Sequence, residues 1–252
     1  MHVVQGVDAL RPSLGPAFIV VGVFDGMHLG HVYLLEHLVR ESATRGARPT
    51  VITFDAHPDE VLMGRAPALL LDPGERLARL EAAGVAVTIV QHFDEALRRT
   101  PYDEFVERIR TRLQLSGFLM TPDAAFGFER QGTPVALADL GARDGFEVVV
   151  VPPFTLDGEE VRSSSIREAI VRGDFATAAR LLGRPVTITG SIGGAVDGRT
   201  RLDFALPVAL PPDGDYPVSV DGGPVTLRLV RGDAYLLGEP SNRRVTVVFS
   251  GA

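Results

Sequence analysis

The sequence predicts an α/β fold with a mostly parallel sheet, followed by a smaller all-β domain of barrel type. Over roughly the first 150 residues, β-rich apolar runs alternate with segments of helical period, the pattern of βαβ units whose sheet is covered on both faces. From Pro185 onward the texture changes to short alternating segments separated by Gly, Pro and Asp turns. The expected division is therefore residues 1–184 for the α/β domain and 185–252 for the barrel-type domain.

Phe18–Val21 (FIVV) reads as the first buried strand, and it breaks into a polar turn, Gly22 to Gly26. His28 and His31 follow, at the start of a helix over about Leu29 to Ser42 whose apolar positions are Val32, Leu34, Leu35, Leu38 and Val39. Pro49–Phe54 is the second strand and runs into a loop, Asp55-Ala56-His57-Pro58; the stretch from there to Leu71 has no clear period. Asp72-Pro73-Gly74-Glu75 carries an Asp N-cap, Pro at N1 and Glu at N3, and opens a helix that stops at Gly84. Val85–Val90 is the third strand. Thr100-Pro101 begins a capped helix to near Leu115, and Gly117–Met120 is the fourth strand. Thr133-Pro134 opens a further helix, and Phe146–Val151 is the fifth strand. Ser163-Ser164-Ser165 precedes a helix over Ile166–Val171 that Gly173 ends, and Asp174 caps one more, to Leu182. The later strand candidates are Val186–Ile192, Leu202–Leu206, Tyr216–Val220, Val225–Val230 and Arg244–Phe249.

Composition removes whole classes of chemistry. The 252 residues contain no cysteine, which excludes disulfides, thiol nucleophiles and thiolate-held metals. There is no lysine either, so all 25 basic residues are arginine. A Walker A loop and a Schiff-base mechanism are both excluded, since each needs a lysine. A net charge of -7 argues against nucleic acid as a main partner, because that grip needs many cations; a small phosphorylated ligand needs only a local Arg/His cluster. The first residues lack the basic start and apolar run of a signal peptide, and no segment approaches about 20 apolar residues. The expectation is a soluble, cytoplasmic protein with no membrane partner, a monomer or weak homo-oligomer.

Ligands of parallel sheets sit at the carboxyl ends of the strands, where the turn after the first strand, the His57 loop and the segment after Met120 all fall. A helix N-terminus collects unpaired N–H groups and a positive dipole end, and so favours anions. His28 and His31, three residues apart, share a face of that first turn, which points to the phosphates of a nucleotide. A second donor cluster is expected at Arg162–Arg167, where serine hydroxyls at a helix start meet an arginine one turn in. With a nucleoside triphosphate bound, the matching chemistry is nucleotidyl transfer, in which the protein aligns a nucleophile on the α-phosphorus and stabilises spreading charge. Other readings stay open at this level. His28 and His31 could be ordinary helix residues or, with His57, an open metal site. Ser163–Ser165 could be a plain N-cap, Asp123 a turn residue after Pro122, and Arg130 either a phosphate contact or a loop residue. His2, His37 and His92 read as structural or solvent-facing.

The motifs together resemble a known family. Gly22–His31, GVFDGMHLGH, is similar to the HxGH signature of nucleotidylyltransferases, in the Gly-x-Phe-Asp-Gly form of prokaryotic bifunctional riboflavin kinase/FAD synthetases. Thr53–Pro58 (TFDAHP) resembles that family's TFDPHP, Ser163–Arg167 (SSSIR) its SSTxIR, and Gly173–Pro185 its interdomain linker, so the resemblance spans roughly residues 15–190. It implies a Rossmann-like nucleotidylyltransferase domain that joins FMN and ATP into FAD, with Mg²⁺ bridging the phosphates. It also implies site residues. His28, His31 and Arg167 would act in catalysis; Gly22, Phe24, Gly30, Ser163, Ser164 and Arg167 would bind ATP; Phe54, His57, Pro58, Asp123 and Phe126 would bind FMN. No protein ligand to a metal is implied.

The sequence departs from that family in three places. The stretch resembling Gly-x-Asp/Asn-Phe-x-Phe-Gly is here Thr121-Pro122-Asp123-Ala124-Ala125-Phe126-Gly127, with Thr for the first glycine and Ala for one aromatic. An alanine cannot stack on an isoalloxazine, so transfer to another phosphorylated acceptor, or binding of flavin or nucleotide without turnover, are the competing readings. Arg162 replaces the first serine of the third motif. In the barrel-type domain, the kinase motif resembling GFPTAN falls on Asp203–Val208, where Leu206 and Val208 replace the Thr and Asn, and Arg244–Ser250 offers no carboxylate base. Leu and Val can neither ligate a cation nor take a proton, so riboflavin kinase activity is expected to be absent.

Overall fold

The computed structural model describes residues 1–196, 198–238 and 242–249; Ser250, the last residue of the stretch compared with a kinase base, lies outside them. Six parallel strands, β1 (His2–Gln5), β2 (Ala17–Val21), β3 (Arg48–Phe54), β4 (Val87–Gln91), β5 (Leu115–Met120) and β6 (Glu147–Val150), form one sheet in the order β1-β4-β3-β2-β5-β6. The chain leaves β2 towards β3 and β4 on one side, then returns to place β5 and β6 on the other. The crevice beyond the carboxyl ends of β2 and β5 is therefore the topological switch point of the sheet. Phe18, Ile19, Ile52, Ile89 and Phe118 are fully buried, as expected of strands covered on both faces.

The helices among these strands are α1 (Leu29–Thr44), α2 (Asp59–Met63), α3 (Pro73–Ala82), α4 (Glu95–Arg98), α5 (Tyr102–Arg110) and α6 (Pro134–Asp144). Local capping chemistry sets several boundaries as the sequence implies. Asp72 Oδ1 accepts from the N–H groups of Gly74 and Glu75 at the start of α3, and Thr133 Oγ accepts from Ala136 ahead of α6. The expected cap at Thr100-Pro101 is different. The Thr100 hydroxyl donates back to Ala96 O within α4, and α5 starts at Tyr102 with no side-chain cap. That helix also ends at Arg110, because Leu115 already belongs to β5. The strand β1 had no legible signal: its four residues pair only with β4 and bury none of their side chains fully.

After a short hairpin of β7 (Thr155–Leu156) and β8 (Glu159–Glu160) come α7 (Ser163–Val171) and α8 (Phe175–Leu182), the latter capped by Asp174, whose Oδ1 accepts from Thr177 N. The remaining strands are β9 (Thr187–Val196), β10 (Arg199–Asp203), β11 (Gly214–Val220), β12 (Gly223–Val230), β13 (Asp233–Leu236) and β14 (Arg244–Phe249). They close into an antiparallel barrel in the order β10-β13-β12-β11-β14-β9. The barrel strand expected at Leu202–Leu206 lies at Arg199–Asp203 instead. Thr200 and Leu202 are the inward positions there, and Thr200 is accommodated by donating to Gly238 O. A four-residue strand, β13, was not anticipated; only Ala234 and Leu236 of it face the interior.

By internal contacts the chain divides into two compact units. The first is Met1–Phe24, Gly30–Pro67 and Leu77–Thr155; the second is Asp25–Leu29, Ala68–Arg76 and Leu156–Ala252. The parallel sheet belongs to the first and the barrel to the second. No described helix is long and apolar enough to cross a membrane.

Candidate active site

The turn between β2 and α1 is buried and conformationally costly. Phe24 (φ 54°), Gly26 (φ 84°) and Met27 (φ 42°) all lie in the left-handed region, and side chains at two of these positions store on the order of 1–3 kcal/mol each. Both ends are glycine, and only Gly26 also has a left-handed backbone. A Cβ on Gly22 would meet the Phe24 ring at 3.1 Å, and one on Gly26 would meet Leu70 Cδ1 at 2.9 Å.

The first unit fixes the opening of this turn. Gly22 N donates to Ile52 O at 3.0 Å, Thr53 Oγ donates to Val23 O at 2.9 Å, and the Phe24 ring packs 5.0 Å from the His31 ring. Phe24 is thus a buried wedge beside His31, the third residue of α1; Gly30 is the residue before it.

The second unit fixes the rest. Asp25, only 3 % exposed, accepts from Leu70 N through both carboxylate oxygens (2.9 and 3.1 Å) and pairs with Arg167 Nη2 at 2.7 Å. Ser163 Oγ donates to Asp25 O at 3.0 Å, and Arg184 Nη2 donates to Gly26 O at 2.7 Å. Arg167 is held from a second direction, its Nε donating to Ala68 O at 2.8 Å. Neither Asp25 nor Arg184 was singled out from the sequence. A charged residue inside an otherwise apolar and glycine turn was the available signal for Asp25; nothing local marked Arg184.

His28, immediately before α1, is 5 % exposed, and its pKa is lowered to about 4. Burial is the main cause, followed by the charges of Arg167 and Arg184. At neutral pH it is an uncharged imidazole, set beside two guanidinium groups. The start of α7 lies in the same unit. Arg162 occupies its N-cap without a side-chain cap bond and pairs with Glu160 at 2.6 Å, so Ser163 serves the turn rather than the helix end. Ser164 and Ser165 are exposed in the first turn of α7. Neutral donors, cations and helix N–H groups suit a polyanion.

The remaining expected residues lie in the first unit, at carboxyl ends of its strands. Phe54 ends β3 and meets Phe93 edge-to-face at 5.5 Å. His57 is half-buried, its Nδ1 accepting from Asp59 N at 3.2 Å, and Pro58 is the N-cap of α2. Beyond β5, Asp123 Oδ1 accepts from Thr121 Oγ at 2.8 Å, and Arg130 donates to Asp123 O at 2.9 Å. Phe126 packs against Phe105 and Phe118 (ring centroids 5.8 and 5.6 Å). A cavity of about 70 Å³ at the switch point is lined by Val20, Val21, Leu34, Met120, Ala124 and Phe126, among others.

Among the described residues no group of three or more His, Asp or Glu side chains could hold a metal ion. The carboxylate in the turn, Asp25, is committed to Arg167 and Leu70 N. This donor set fits phosphate oxygens, and a divalent cation fits here only as one carried by those oxygens.

The FAD synthetase family profile matches residues 11–165. The bifunctional riboflavin kinase/FMN adenylyltransferase of Haemophilus influenzae is 34% identical over 194 residues, 76% of this chain and 63% of that protein. Its counterpart from Pseudomonas fluorescens is 32% identical over 193 residues, 76% of this chain and 62% of that protein. The chain thus spans a little over three fifths of the length of these relatives. A solved structure described as a macrolide-efflux protein from Streptococcus pneumoniae covers 98% of this chain and 88% of its own, with a TM-score of 0.81 at 21% identity, a likeness of fold alone.

Proposed function

The chain belongs to the FAD synthetase family, and we propose that it is an FMN adenylyltransferase that moves AMP from ATP to FMN and releases pyrophosphate. One observation carries the reading: the Asp25 turn gathers His28, Arg167 and the start of α7 in a single unit, with the Asp25 carboxylate itself paired to Arg167. A phosphate oxygen of FMN attacks the α-phosphorus of ATP. The new P–O bond forms as the bond to pyrophosphate breaks, so the residues need only align the groups and stabilise charge. His28 and His31 donate to the α-phosphate region. Arg167 and the N–H groups of Ser163 and Ser164 hold the leaving phosphates, with Gly22, Phe24 and Gly30 shaping the turn. Bound ATP raises the His28 pKa from its depressed value, since an adjacent polyanion favours the imidazolium. Mg²⁺, carried in on ATP, neutralises part of the phosphate charge.

The acceptor is assigned to the strand ends of the first unit, with Phe54, His57, Pro58, Asp123 and Phe126 facing FMN. Thr121 and Ala124, which replace a glycine and an aromatic of the resembled motif, favour a second reading, transfer to another phosphorylated acceptor. In the barrel, Leu206 and Val208 stand where cation and nucleotide ligands would be needed, and we propose that riboflavin is not phosphorylated. The test is incubation with ATP, Mg²⁺ and FMN. FAD and pyrophosphate should form, at rates lowered about 10²–10³-fold in His28→Ala or His31→Ala. Pyrophosphate release with another acceptor but not with FMN would select the second reading.

A further inference from the structure

Val208, which stands where a kinase would need a ligand in the barrel, lies in a backbone bridge. Leu69 N donates to Pro207 O at 2.8 Å, and Ala209 N donates to Leu69 O at 2.8 Å, so that Leu69 and Val208 form a parallel bridge. The residues on either side of Leu69 face the nucleotide-binding cluster. Ala68 O receives Arg167 Nε, and Leu70 N is received by Asp25, which also pairs with Arg167. Every member of this chain of contacts belongs to the second unit.

We propose that Asp25 is the positioning residue of Arg167, and that the barrel segment Pro207–Ala209 braces it through the strap Ala68–Leu70. The guanidinium is gripped at two of its nitrogens, by a carboxylate and by a carbonyl, and both grips depend on where the strap lies. Arginine otherwise loses considerable side-chain entropy on ordering, so a preset orientation lowers the cost of binding a polyanion. The barrel then has a role without kinase residues. It fixes the strap, and the strap fixes the orientation of a phosphate-binding arginine. The inference rests on the reading of Arg167 as an ATP ligand, and its test separates the two.

Binding of ATP with Mg²⁺ to the full chain is measured by calorimetry, alongside hydrogen exchange of the Arg167 Nε–H followed by NMR. Asp25→Asn keeps an acceptor for Leu70 N but removes the charge. It should weaken ATP about 10- to 100-fold in the wild-type background and have no further effect in Arg167→Ala. Ala209→Pro deletes the N–H donated to Leu69 O; it should weaken ATP several-fold, roughly the loss of one hydrogen bond, and expose the Arg167 Nε–H to faster exchange. Ala209→Gly, which keeps that N–H, should do neither. Additive losses in the Asp25/Arg167 pair, or native affinity and exchange in a folded Ala209→Pro, would overturn the proposal. If Ala209→Pro does not fold, Leu69→Pro, which removes the other bond of the bridge, takes its place. A wild-type chain that binds no ATP defeats the functional reading instead. Slow Arg167 Nε–H exchange, made fast in Asp25→Asn, would still support the positioning, and unchanged exchange would overturn it.

Discussion

The buried His28 makes the protein's stability depend on pH in a way that can be isolated. In the unfolded chain its imidazole titrates near 6.5, whereas in the folded protein its pKa is about 4. Between those values the unfolded state binds the proton and the folded state does not. Stability from this group is therefore full above about pH 6.5, is lost progressively as pH falls towards 4, and loses nothing further below that. A shift of this size corresponds to about 3 kcal/mol in all, of which about 2 kcal/mol is gone by pH 5. The comparison is with His28→Gln, whose amide does not titrate, so that whatever else changes charge over this range is common to both proteins. Urea unfolding at intervals from pH 7.5 to 4 measures both proteins. The wild-type curve should fall more steeply than that of the variant, with the difference concentrated between pH 6.5 and 4.5. Parallel curves would show that His28 is not held neutral by its surroundings, and the picture of a buried imidazole beside Arg167 and Arg184 would fail.

Three further outcomes are expected. Gly26→Ala places a Cβ at 2.9 Å from Leu70 Cδ1 on a backbone of φ 84°, and should cost about 1–3 kcal/mol in urea unfolding; a neutral result would mean that the turn relaxes freely. Ala124→Phe restores the aromatic residue of the resembled motif, beside the cavity at the switch point, and should lower the KM for FMN several-fold while leaving that for ATP unchanged. An unchanged KM for FMN would remove the acceptor from that cavity. Purified protein given riboflavin, ATP and Mg²⁺ should form no FMN above background, and sustained FMN formation would show that Leu206 and Val208 do not disable the barrel.

Much of the parallel sheet was legible because its signals are local. The strands from β2 to β6 are apolar runs, and Asp72, Thr133 and Asp174 cap helices by contacts within a few residues. The strand β1 was not legible because an edge strand with one partner needs no apolar face. The strand β13 was missed because two inward residues make no pattern, and β10 was displaced because its inward Thr200 is satisfied by Gly238 O, far along the sequence. The site divides in the same way. His28 and His31 could be seen in a single helix start, and Ser163 and Arg167 in another. The role of Asp25 could not, since it depends on Arg167, 142 residues away, and on the Leu70 backbone. Ser163 illustrates the limit: its position at a helix start suggested a phosphate ligand or a cap, yet its hydroxyl donates to Asp25 O. Strands and caps are written in neighbouring residues, whereas the placement of a buried ion pair is written only in the folded chain.

The central claim is that the Asp25 turn and α7 handle a triphosphate whose α-phosphoryl group is transferred. It is tested most directly by following labelled ATP with FMN and Mg²⁺. Label at the α-phosphorus should appear in FAD and label at the γ-phosphorus in pyrophosphate, with both products reduced about 10²–10³-fold in His28→Ala. Transfer of the γ-label to the acceptor, or α-label that remains in ATP while the protein is folded and binds nucleotide, would contradict the account.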